Sequence, residues 1–128
     1  MSAFDPERFI YVEIKDSVGP LVRGPKYEDA LQQLLADRGL GAITGGGSQL
    51  GEDSPDGTPT IAYCGLDIDA ADRDAVVALL REQLPRLGAP AGTEIHYASS
   101  GAKLRDELRR TGWVIGLSRT LLHPYFKC

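Results

Sequence analysis

The apolar residues of this chain alternate between a two-residue and a 3.6-residue period, and that succession limits the folds open to it. In RFIYVEI, residues 8–14, Ile10, Val12 and Ile14 fall on one face and Phe9, Tyr11 and Glu13 on the other, which predicts a strand. KDSVGPLVRGP breaks the pattern with glycines and prolines and predicts a loop. Helical spacing follows over 25–38. Tyr27, Ala30, Leu31, Leu34 and Leu35 form one stripe, Pro25 suits the first position, Glu28 and Asp29 sit near the positive end of the dipole, and Gly39 stops the helix. LGAIT (40–44) predicts a short strand. TIAYCGLDI (60–68) predicts a longer one, with Ala62, Cys64, Leu66 and Ile68 opposite in facing to Ile61, Tyr63, Gly65 and Asp67.

The helical period returns over 70–87, with Val76, Leu79, Leu80, Leu84 and Leu87 as the buried stripe. Asp69 or Asp72 is the expected cap, Pro85 tightens the last turn and Gly88 ends it. GTEIHYA (92–98) completes the series as a fourth strand. The order βαββαβ predicts an α+β, ferredoxin-like sandwich, a four-stranded antiparallel sheet with both helices on one face. One domain is expected over 1–128, with its core at 8–98 and an extension at 99–128. In that extension SSGAKLRDELRRTG (99–112) reads as a helix with Leu104 and Leu108 as apolar points, and WVIGL (113–117) as a fifth strand.

Charge is unevenly spread. The first 98 residues carry 16 acidic and 8 basic side chains, and the last 30 carry 2 and 6. An acidic body argues against nucleic acid as a partner and suits a basic protein. No apolar run approaches the roughly 20 residues of a membrane helix. MSAFDPERF lacks the basic and apolar regions of a secretory signal, so a cytoplasmic protein is expected. Cys64 and Cys128 fit either a bridge that pins the terminus or two reduced thiols of a cytosolic protein.

The segment GAITGGGSQLGEDSPDGTPT invites a search for a phosphate loop. A Walker loop needs a lysine after its glycines and then a helix. Here Ser48 follows instead, and Glu52, Asp53 and Asp56 would repel a phosphate. The dinucleotide fingerprint fails too, because a strand comes next. The glycines are expected in a long connection, 45–59, as a bulge or strand exit. A backbone anion nest at Gly46, Gly47 and Ser48 is the alternative.

With that long loop between strands two and three, residues 8–98 resemble the PII-type signalling proteins and the CutA-type proteins in arrangement. The resemblance implies a small-molecule sensor acting as an oligomer. The nucleotide-binding motifs of the PII proteins have no match here, so no functional residue is carried over. In size, charge and organisation the chain also resembles bacterial toxin-neutralising immunity proteins. That likeness implies a non-catalytic protein that meets a basic partner through Glu52, Asp53 and Asp56, with Asp67 and Asp69 nearby.

Other candidate chemistry is sparse. DIDAADRD (67–74) lacks the central glycine and the twelfth-position glutamate of a calcium loop. His96, beside Glu94, and His123 read as polar surface, and no metal or cofactor is expected. No serine lies in a G-x-S-x-G context, which argues against an enzyme, with a catalyst of unrecognised type as a further alternative. On the outward sheet face Phe9, Tyr11, Tyr63 and His96 should gather. Such rings stack bases in RNA-recognition domains, but the motif of those domains is absent. Coverage by the apolar C-terminal tail or by a second subunit is the expectation.

Overall fold

The computed structural model describes residues 7–15, 24–50, 61–99 and 101–118, with 24–25, 46–50 and 61–64 described through their backbone. The strands are β1 (Phe9–Ile14), β2 (Gly41–Leu50), β3 (Ile61–Ala70), β4 (Glu94–Ser99), β5 (Ala102–Arg109) and β6 (Gly112–Ser118). Helix α1 (Asp29–Arg38) follows a wider, π-type turn at Gly24–Glu28, and helix α2 (Arg73–Arg86) follows β3. The strands form one sheet in the order β2-β3-β1-β4-β5-β6. Every pairing is antiparallel.

The expected four-stranded ferredoxin-like sandwich is therefore corrected: the sheet has six strands, and only two α-helices accompany it among the described residues. Where a helix was expected over 99–112, the described residues form the end of β4, strand β5 and the start of β6. Leu104 and Leu108 are spaced by four, which satisfies a helix and a strand equally. In the strand, Asp106 lies between them on the same face and is fully buried. Strand β6 covers the predicted 113–117 and pairs with β5.

The glycine segment is also corrected. Gly45, Gly46 and Gly47 lie inside β2, paired with Asp67, Leu66 and Gly65, and not in a connection. The register shifts between Ile43 and Gly45, so Thr44 is the extra residue of a bulge.

One core holds the layers together. Ile10, Val12 and Ile14 of β1, Leu66 and Ile68 of β3 and Ile95 of β4 are fully buried against Leu31 and Leu35 of α1 and Leu80 and Leu84 of α2. Each such side chain contributes roughly 1.5–3 kcal/mol. Both helices thus occupy one face of the sheet. Asp72 caps α2, its carboxylate accepting from the Ala75 N–H at 3.2 Å. No helix among the described residues is long and apolar enough to cross a membrane.

Candidate functional site

The other sheet face carries the polar chemistry. Antiparallel register places Tyr11 of β1 opposite His96 of β4 and Glu13 opposite Glu94. On the far side of β4, Glu107 of β5 stands opposite Glu94 and Arg105 opposite His96. Alternation along each strand puts all six side chains on the face away from the helices.

At the centre of this group His96 Nε2 lies 2.8 Å from Glu94 Oε1 and 3.8 Å from Glu13 Oε2. The second oxygen of each carboxylate faces a cation. Lys15 Nζ donates to Glu13 Oε1 at 2.7 Å, and Arg105 donates to Glu94 Oε2 at 3.4 Å. Arg105 also donates to Glu107 at 2.6 Å, and Arg109 donates to the other Glu107 oxygen at 3.0 Å. These two guanidiniums hold the Glu107 carboxyl below its ordinary 4.5. The Tyr11 ring packs 5.7 Å from the imidazole, tilted by 54°.

His96 is 4% exposed and Glu13 7%, so the reading of His96 as polar surface is corrected. Donor atoms of Glu13, Glu94 and His96 all lie within 4.8 Å of one another, a set that can hold a metal ion. The i, i+2 spacing of Glu94 and His96 was visible in the sequence. Sequence spacing does not join Glu13 to them; the β1–β4 register brings it there.

The predicted residues separate into groups. Phe9, Tyr11 and His96 share the outer face, where Phe9 and Ala98 form a small apolar cluster against Tyr11. Tyr63 pairs with Gln49 in the β2–β3 ladder, and its side chain, which the expectation placed with these rings, lies outside the described residues. Asp67 and Asp69 pair with Tyr11 and Phe9, and Asp69 accepts from Arg8 at 3.4 Å. Gly46, Gly47 and Ser48 are ladder residues opposite Leu66, Gly65 and Cys64. Glu52, Asp53 and Asp56 fall outside the described residues, as does the tail beyond Ser118.

A second constellation lies on the helix face. Asp106 accepts from Arg81 Nε at 2.7 Å, from the Tyr97 hydroxyl at 2.7 Å and from the Gly116 N–H at 2.9 Å. Burial and the Asp106 carboxylate push the Tyr97 hydroxyl up to about 12. Trp113 donates its indole N–H to the Arg81 carbonyl at 2.8 Å, so the β5–β6 hairpin is tied to α2 at two points. The residues here satisfy one another, which is an architectural arrangement.

No protein-family model matches the chain, and neither does any curated protein or solved structure.

Proposed function

We propose that the chain is a non-catalytic, cytoplasmic binding protein that presents the outer face of its sheet to a basic protein partner, in the manner of an immunity-type protein. The observation that carries this reading is the placement of both helices on one face. Among the described residues it places Tyr11, Asp67, Asp69, Glu94 and Arg105 together on the other face, through the registers of β3, β1, β4 and β5. The acidic balance of the first 98 residues supports a basic partner, whose approach such a field accelerates.

Native mass spectrometry of the protein isolated from its own cells tests the reading. A complex with a second, larger polypeptide is the expected result. With that partner in hand, Asp67→Lys and Asp69→Lys should slow association, and added salt should slow the parent protein more than the variants. A bare oligomer carrying a small-molecule mass would overturn the reading and favour an oligomeric sensor.

A further inference from the structure

We propose that Glu13, Glu94 and His96 form a binding site for one divalent transition-metal ion, zinc by its donor set. Glu13 and Glu94 stand directly opposite each other on neighbouring strands; Lys15 and Arg105 offset their mutual repulsion at one oxygen of each, and the other oxygen of each faces His96. The group nearest both is the imidazole nitrogen. Zinc takes imidazole nitrogen and carboxylate oxygen at about 2.0–2.2 Å, so tetrahedral donors stand about 3.3 Å apart. The distances from Nε2 to the two facing oxygens, 2.8 Å and 3.8 Å, bracket that spacing. On coordination Nε2 is unprotonated, the neutral ring carries its proton on Nδ1, any further proton leaves to solvent, and the three donor atoms draw to a common spacing.

The surrounding shell is built to orient such ligands. Each carboxylate commits one oxygen to a cation, Lys15 for Glu13 and Arg105 for Glu94, and turns the other towards His96. Outer partners of this kind fix the rotamers of metal-binding carboxylates. The Tyr11 ring limits the imidazole on one side. Glu94 is the most exposed of the three, so its side is the path of entry. Three protein donors leave the fourth position to water.

The test uses the full chain after chelator treatment, titrated with zinc chloride and followed by calorimetry. Nitrogen-15 NMR of the His96 ring is recorded on the same samples. One bound zinc per chain, with a displaced Nε2 resonance, is expected. Glu94→Gln should weaken zinc binding by more than the roughly 100-fold that loss of an outer-shell partner costs. His96→Ala should abolish it. Circular dichroism checks that each variant folds, and the NMR signature of the unaltered protein does not depend on them. No zinc binding, an unmoved Nε2 resonance, or full binding retained in His96→Ala, which would place the metal on other donors such as Cys64 or His123, would each overturn the proposal.

Discussion

Gly116 donates its N–H to the buried carboxylate of Asp106 at 2.9 Å, across the last hairpin of the sheet. The bond exists because β5 and β6 slip by one residue between Arg105 and Glu107. Ile115 and Gly116 stand opposite Asp106 alone, with Gly116 at φ +76° and Ile115 turned outward, 57% exposed. A Cβ at 116 would meet no atom within 4 Å, so Gly116→Ala costs only the left-handed backbone, about 1–2 kcal/mol. Urea unfolding should find that loss with an unchanged slope.

Asp106→Asn keeps the acceptor for Tyr97 and Gly116 but leaves Arg81 without its carboxylate. Breaking one side of a buried ion pair costs about 3–5 kcal/mol. The Arg81 side chain is 28% exposed and can turn to water, so the lower end, about 3 kcal/mol, is expected. In the double variant Arg81→Met/Asp106→Asn the loss should be well short of additive, which a double-mutant cycle by chemical denaturation measures.

Tyr97 makes stability sensitive to alkali. Its hydroxyl ionises at about 12 in the folded chain against 10.0 ordinarily, so the folded state holds its proton longer than the unfolded state. The contribution is complete below pH 10 and is lost as pH rises towards 12. Denaturation midpoints measured across that window should fall, and Tyr97→Phe should remove this part of the slope.

Glu107 acts at the acidic end. Its carboxyl is lowered by hydrogen bonds from Arg105 and Arg109, so the folded state favours the charged form. The contribution is present above the ordinary 4.5 and is lost as pH falls through the lower folded value. Side-chain NMR should place its titration below that of free glutamate, and salt should move it back towards the ordinary value, because the pairs are partly exposed.

Tyr11 lies across Gly65 of the neighbouring strand. A Cβ there would stand 2.8 Å from the tyrosine Cε1 and 2.9 Å from Cζ, and closer still to the hydroxyl. Gly65→Ala should displace the whole ring and cost about 1–3 kcal/mol, the usual range for overpacking. Tyr11→Leu in the same chain should recover much of the loss. A change in the His96 ring resonances on Gly65→Ala alone would report the broken Tyr11–His96 contact.

The helices and the apolar strands are legible in the amino-acid pattern. Periodicity places both helices because leucines recur on one helical face, although the helix expected from 25 begins at Asp29 after a π-type turn; of the two expected caps, Asp69 and Asp72, it is Asp72 that caps α2. Alternation placed β1 and β4 because Ile10, Val12, Ile14, Ile95 and Tyr97 share one buried face. The rest depends on contacts between distant segments. Strand β5 was hidden because its central inward residue is Asp106, a charge where alternation calls for an apolar side chain. Arg81 compensates that charge from a helix 25 positions earlier, and local sequence does not reveal such a partner. The glycines of β2 have no side chains to show a period, and pairing with β3 alone makes them a strand. The Glu13–Glu94–His96 cluster required a register between strands some 80 positions apart, which is set by how the whole core packs and by no single segment.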